Sequence, residues 1–197
     1  MRWAFCTAMN GNAILLASGA SRRFGTQNKL LVPVNGVPLA EHAAMLAKEA
    51  FGDRVTMVTA HPELFKQCTG WGVEAIFNPH PEQGISHSIR LGIAAHPAAD
   101  YLCFLVCDQP YLKPASLLRM KELAESTGKI VAPKAGEVIG NPVFFPRQYF
   151  PELLALSGDR GGKRVLLAHL DAVRTVPVES YELLDIDTYE DWERSKS

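Results

Sequence analysis

The sequence predicts a doubly wound, Rossmann-like α/β fold, a mostly parallel sheet flanked by helices. Short β-rich apolar runs alternate with helical patterns along the whole chain. Runs such as AILLA (13–17) and LCFLV (102–106) are apolar at every position. Strands covered by helices on both faces require that. Pro and Gly are spread out as turn punctuation, with no internal repeat and no low-complexity linker.

The elements follow in order. The first strand is Asn12–Ser18, an apolar run stopped by Ser-Gly. A helix over Pro38–Ala50 opens on proline and is rich in alanine. Arg54–Thr59 carries the β-branched run VTMVT and reads as a strand. Pro62–Cys68 is a short proline-opened helix, and Val73–Phe77 the next strand. Gly84–Ala95 places Ile85, Ile89 and Ile93 at helical spacing. Tyr101–Cys107 is the second apolar strand, and Pro114–Ser126 repeats the helical spacing with Leu117, Met120 and Ala124. Ile130–Ala132 and Val143–Pro146 read as strands, Arg147–Leu156 and Lys163–Leu170 as helices. Ala172–Val176 and Glu182–Asp185 read as strands, and Thr188–Arg194 as a closing helix with Glu190 and Asp191 in its first turn.

The 197 residues suit one domain over 12–197, with residues 1–11 as a flexible leader. Asn10, Gly11 and Asn12 interrupt any signal-peptide core. The formal net charge of −1 argues against a broad nucleic-acid or membrane surface. No apolar run approaches the roughly 18 residues that a spanning helix needs. The four cysteines form no CxxC pair. Cys103 and Cys107 share a strand face as small core residues, which fits a reducing cytoplasm.

In open α/β sheets ligands bind beyond the carboxyl ends of strands. That selects Ser18–Lys29, Asn78–Ser88 and Asp108–Tyr111, with Gly140–Pro142 beside them. After the first strand, Ser18-Gly19-Ala20-Ser21 offers small residues whose backbone N–H groups a phosphate can approach. Arg22, Arg23 and Lys29 add cationic donors. The spacing is neither a Walker A loop nor GxGxxG, so a surface loop with solvated charges stays open beside a triphosphate cradle. Asp108 follows a buried strand, where it can hold Mg²⁺ or serve as a turn or N-cap residue. Asp187 reads equally as a metal ligand or a cap for the last helix. Gly84, Ser86 and Ser88 open a helix that can accept an anion or be merely capped.

These stretches together resemble a known family. LASGASRRFG (16–25) with Lys29 is similar to the LAAGxSxRMGxxK signature of the molybdenum cofactor cytidylyltransferase-like nucleotidyltransferases, which also include guanylyltransferases. Ser18 and Phe24 depart from it, and three residues rather than two separate Gly25 from Lys29. The resemblance continues in order through KLLVPVNGVPL (29–39), NPHPEQGISHSIRLG (78–92), CDQPYL (107–112), GNPV (140–143), GDRGGK (158–163) and DIDTYED (185–191).

The resemblance implies that Ala17, Ser18, Gly19, Arg23, Lys29, Gly84 and Ser88 bind the nucleotide. It implies Arg23, Lys29 and Asp108 as the catalytic set and Asp108 with Asp187 as ligands of Mg²⁺, or of Mn²⁺ in its place. Asn141 and Asp159 would face the acceptor. The implied reaction passes CMP from CTP to the phosphate of Mo-molybdopterin, giving molybdopterin cytosine dinucleotide and pyrophosphate. A molybdoenzyme would receive the product. Guanylyl transfer from GTP, or transfer to another phosphorylated acceptor, is the alternative within the class. Gly-Gly after Leu-Ala and Asp before the lysine mark the guanylyl branch. Here Ser18-Gly19 and Asn28 stand in those places. A non-catalytic nucleotide-binding cofactor chaperone is the alternative outside the class.

Overall fold

The structure is a computed structural model and describes residues 9–19, 21, 24 and 27–195. Its centre is an eight-stranded sheet. The chain enters it at β1 (Gly11–Ala17), makes a small hairpin of β2 (Pro33–Val34) and β3 (Val37–Pro38), and continues into α1 (Leu39–Phe51). Then come β4 (Val55–Thr59), α2 (Pro62–Gln67), β5 (Glu74–Phe77), α3 (Ile85–Ala95), β6 (Tyr101–Val106) and α4 (Pro114–Thr127). The second half holds β7 (Ile130–Ala135), β8 (Val138–Ile139), β9 (Val143–Pro146), α5 (Phe150–Leu154), α6 (Lys163–Ala168), β10 (Val173–Pro177) and α7 (Tyr189–Arg194).

The strand order is β10-β7-β9-β6-β1-β4-β5, with β8 paired to the outer part of β7. β1 pairs in parallel with both β4 and β6. The chain builds outward from β1 to β4 and β5, then crosses to β6 on the other side. The crevice between the carboxyl ends of β1 and β6 is therefore the topological switch point. β9 runs antiparallel between β6 and β7.

Alternate residues of the central strands feed two cores. Ala13, Leu15, Cys103 and Leu105 pack against the alanine face of α1 and against Leu117 and Met120 of α4. Ile14, Leu102 and Phe104 pack against Ile89 and Ile93 of α3, Leu153 of α5 and Leu166 of α6. Cys107 joins Cys103 in the first core, on the shared face that the sequence predicts. A third, small cluster of Phe24, Val32, Val34, Leu39 and Ile186 takes in Trp192 of α7. The Trp192 indole N–H donates to the Pro33 carbonyl at 2.8 Å, tying the C-terminal helix to the hairpin. No helix among the described residues is long and apolar enough to cross a membrane.

Two sequence expectations need correction, and one element was not expected. The strand expected over Glu182–Asp185 is a 3-10 turn at Ser180–Leu183 followed by a loop. Glu182 causes this. Its side chain is 2% exposed and accepts from the backbone N–H of Lys113 and of Glu179, each at 3.1 Å. Those bonds close a capping box with Glu179, which a strand could not satisfy. Secondly, residues 10 and 11, expected in a flexible leader of residues 1–11, are tied to the sheet, while residues 1–8 lie outside the described residues. Gly11 lies in β1, and Asn10 exchanges backbone and side-chain hydrogen bonds with Asp100. The unexpected element is the β2–β3 hairpin. Its turn is Asn35-Gly36, with φ of 50° and 82°.

Burial pushes the Glu182 carboxyl up, but hydrogen bonds from Ser116 and from the Lys113 and Glu179 N–H groups outweigh it and leave the pKa below the ordinary glutamate value. A depressed carboxylate contributes stability that is fully present above its unfolded pKa and lost as pH falls through the folded one. Glu182→Ala should therefore lower stability at neutral pH by about 2 kcal/mol. Urea denaturation should show the gap between variant and parent narrowing in acid.

Candidate functional site

The site is assembled from four strand ends, those of β1, β4, β5 and β6. At the end of β1, Ser18 Oγ donates to the Val58 carbonyl at 3.2 Å. Thr59, buried at the end of β4, donates to the Ala17 carbonyl at 3.0 Å and accepts from the His61 N–H at 3.1 Å. His61 Nε2 in turn stands 3.0 Å from the Gly19 carbonyl oxygen, which can only accept. The first turn of the small-residue loop is thus held against β4 rather than left to solvent.

The loop after β5 is anchored by Asn78, which is fully buried. Its N–H donates to Thr59 O at 2.7 Å, its Nδ2 to Ser88 Oγ at 3.2 Å, and its Oδ1 accepts from the His80 N–H at 2.9 Å. This fixes the start of α3. Gly84 precedes that helix with φ of 76°, and a Cβ on it would lie 2.4 Å from the Gly158 carbonyl carbon. The Ser86 N–H donates to Gly158 O at 3.2 Å. So α3 begins in direct backbone contact with the loop that carries Asp159.

Lys29 lies in a 3-10 turn capped by Asn28, whose Oδ1 accepts from the Leu30 N–H. Its Nζ sits 2.7 Å from Asp108 Oδ2 and 2.7 Å from Asp187 Oδ1. Burial would lower the Lys29 pKa, but the Asp108 charge and hydrogen bond, with those of Asp187, outweigh it and raise the pKa above the ordinary lysine value. The Ile186 N–H donates to the Asp108 carbonyl at 2.9 Å, so the two acidic segments are stitched together by backbone as well.

Both open readings of the aspartates now resolve in part. Lys113, not Asp108, is the residue before α4. Thr188 caps α7 in a reciprocal box with Asp191, which also accepts from the Asp187 N–H. Neither Asp108 nor Asp187 caps a helix. Both carboxylates face Lys29. Asp185 stays apart from Lys29 and accepts from Gln109 Nε2 at 2.8 Å. Burial and the nearby Asp108 charge push its pKa up.

Around this cluster lies a cleft of about 650 Å³. Ser18, Gly19 and Lys29 line it, as do Gly84, Ser88, Asp108, Asp159 and Asp187. Ala17 is fully buried beneath it. Asn141 instead lines a second hollow of about 170 Å³ with Gln109, Lys163 and Asp185. Arg23 lies outside the described residues. No group of three or more His, Cys, Asp or Glu side chains among the described residues could hold a metal. Two carboxylates converging on one cation still suit Mg²⁺ or Mn²⁺, hard ions that take one or two protein carboxylates and complete their shell with phosphate oxygens and water.

With this geometry in view, the family model for the MobA-like NTP transferase domain matches residues 13–173. The chain belongs to this family. It is a nucleotidyltransferase. This NTP transferase is 30% identical to the purine catabolism protein PucB of Bacillus subtilis, over 91% of this chain and 93% of that one. It is 30% identical to a molybdenum cofactor guanylyltransferase of Syntrophotalea carbinolica, over 59% of this chain and 53% of that one. Among solved structures, Rv0371c of Mycobacterium tuberculosis in complex with manganese superposes with a TM-score of 0.80 at 25% identity, covering 95% of this chain and 98% of that one.

Sequence reasoning gave no role to His61, Gln109 or the Asn78 side chain. His61 carries no spacing signal, and Gln109, though it stands in the quoted CDQPYL stretch, has no local sign of its partner, because Gly19 and Asp185 are distant from them in sequence. Asn78 stood in a quoted motif, and its full burial is what gives it a function. The docking at Gly84 is directly testable. Gly84→Ala should destabilise the NTP transferase by on the order of 2 kcal/mol, through left-handed backbone strain and overpacking. Thermal unfolding without ligand reads this. An unchanged Tm would contradict the close approach to Gly158.

Proposed function

We propose that this enzyme transfers CMP from CTP to the phosphate of Mo-molybdopterin, releasing pyrophosphate. The observation that carries the reading is Lys29 bridging Asp108 and Asp187 at the switch-point cleft, beside the small-residue loop. The triphosphate lies along Ser18 and Gly19, with Lys29 on its phosphates. Ala17 supports the loop from below, and Gly84 and Ser88 present the start of α3 to the nucleoside. The resemblance alone assigns Arg23 to the phosphates.

An acceptor phosphate oxygen attacks the α-phosphorus, the bond to the bridging α–β oxygen breaks, and pyrophosphate leaves. The attacking phosphate is already anionic, so no general base is required. Catalysis is then positioning and charge neutralisation. A divalent ion held by Asp108 and Asp187 would supply Lewis-acid stabilisation of the phosphate charge. Asp159 borders the nucleotide cleft where an acceptor would enter. Asn141, in the smaller hollow, offers an amide to the pterin or its phosphate. The reaction belongs in the cytoplasm, where buried thiols such as Cys103 and Cys107 stay reduced. A molybdoenzyme would take up the product.

Support for CTP comes from Ser18-Gly19 and Asn28, which depart from the guanylyl pattern. Guanylyl transfer remains the second reading, favoured by the names of several relatives.

Thermal shifts with CTP, GTP, ATP and UTP, with and without Mg²⁺, separate the readings, because a ligand of the native state raises its apparent stability. A Mg²⁺-dependent shift selective for CTP is expected. Selectivity for GTP would move the assignment to guanylyl transfer. Asp108→Ala should abolish Mg²⁺-dependent pyrophosphate release with the fold intact, and normal release would remove Asp108 from the metal site. Nucleotide binding by the parent protein without pyrophosphate release would favour the cofactor chaperone.

A further inference from the structure

The Lys29 ammonium occupies the point where the Asp108 and Asp187 carboxylates converge, 2.7 Å from one oxygen of each. Its side chain is 13% exposed, against 22% and 46% for the two aspartates, so the cation sits deeper than its partners. The three residues come from segments far apart in sequence, and among the described residues the ammonium is the cation paired with both carboxylates, offsetting one of their two charges. An ammonium and a divalent ion seek the same oxygens. Both cannot hold them at contact distance, since their mutual repulsion is strong in a partly buried site. A triphosphate entering beside Ser18 and Gly19 changes this balance. It offers the lysine a new set of anionic oxygens and offers the metal further ligands.

We propose that Lys29 is a resident counter-cation that excludes a divalent ion from the Asp108–Asp187 pair until a triphosphate draws the ammonium away. Metal then enters with the nucleotide rather than ahead of it. This rests on the reading of the cleft as the nucleotide site. It assigns Lys29 two effects of opposite sign. Removing its charge strengthens binding of metal alone and weakens binding of nucleotide. A lysine that only touched phosphates would produce the second effect without the first. A lysine that only held the fold together would let the carboxylates separate on its removal, and metal binding would not improve.

The test is Mn²⁺ binding without nucleotide, followed by electron paramagnetic resonance of the free ion. The parent protein is compared with Lys29→Met and Lys29→Gln, with circular dichroism confirming the fold. Lys29→Gln carries the comparison should Lys29→Met not fold. Both variants should bind Mn²⁺ about tenfold or more tightly than the parent. Equal or weaker binding in a folded variant would overturn the proposal. Adding CTP or GTP should tighten Mn²⁺ binding by the parent protein beyond the Mn²⁺–nucleotide complex that forms in a control without protein. Absence of that effect with either nucleotide would instead overturn the nucleotide reading, and the nucleotide-triggered release with it, whatever the Mn²⁺-only comparison gave.

Discussion

Two carboxylates and one ammonium organise the functional end of this molecule. Asp108 arrives on the loop after β6, Asp187 on the segment before α7, and Lys29 on the turn after the small-residue loop. Two like charges brought together from distant segments repel at a cost that grows as water is excluded. The Lys29 ammonium offsets that repulsion, and the short distances to both carboxylates require the three segments to be held in register. The backbone bond from Ile186 to Asp108 and the Trp192 bond to Pro33 do the holding. The cluster is therefore both a product of the C-terminal packing and a constraint on it.

Around the charges, the site is shaped by buried polar groups rather than by loops in solvent. Thr59 and Asn78 are fully buried, and each satisfies several partners on two different segments. Buried groups of that kind are costly when unpaired, so they specify one arrangement of the strand ends. The same economy explains Gly84. The start of α3 and the Gly158 loop approach so closely that a side chain has no room between them. One wall of the cleft is thus backbone against backbone, a surface suited to positioning a ligand.

Much of the architecture was legible in sequence because burial on both faces leaves a strong pattern. The apolar runs of β1 and β6, the helical spacing in α3 and α4, and the bounds of β9 follow from it. The direction of β9 does not. A four-residue apolar strand reads the same whether it runs with the sheet or against it. Glu182 misled because its neighbours Leu183 and Leu184 suggest a strand, while the bonds that bend the chain go to Lys113 and Ser116, far away in sequence. The Asn35-Gly36 hairpin did carry a signal, since Asn-Gly between short apolar stretches marks a two-residue turn. In the site, the residue types and order of Lys29, Asp108 and Asp187 were visible. The resemblance also put Asp108 and Asp187 on one metal ion, but the ion pairs of Lys29 with both carboxylates were not visible, and neither was the choice of Thr188 over Asp187 as the helix cap.

The claim that ties these features together is that nucleotide phosphates and a divalent ion meet at the Lys29–Asp108–Asp187 cluster. Crystals grown with Mn²⁺ and a CTP analogue that cannot release pyrophosphate test it most directly, because manganese is located by its anomalous scattering. The account predicts an anomalous peak bonded to Asp108 and Asp187, with Lys29 turned onto the phosphates. A manganese peak elsewhere, or a triphosphate bound with Lys29 still bridging the two carboxylates, would contradict it.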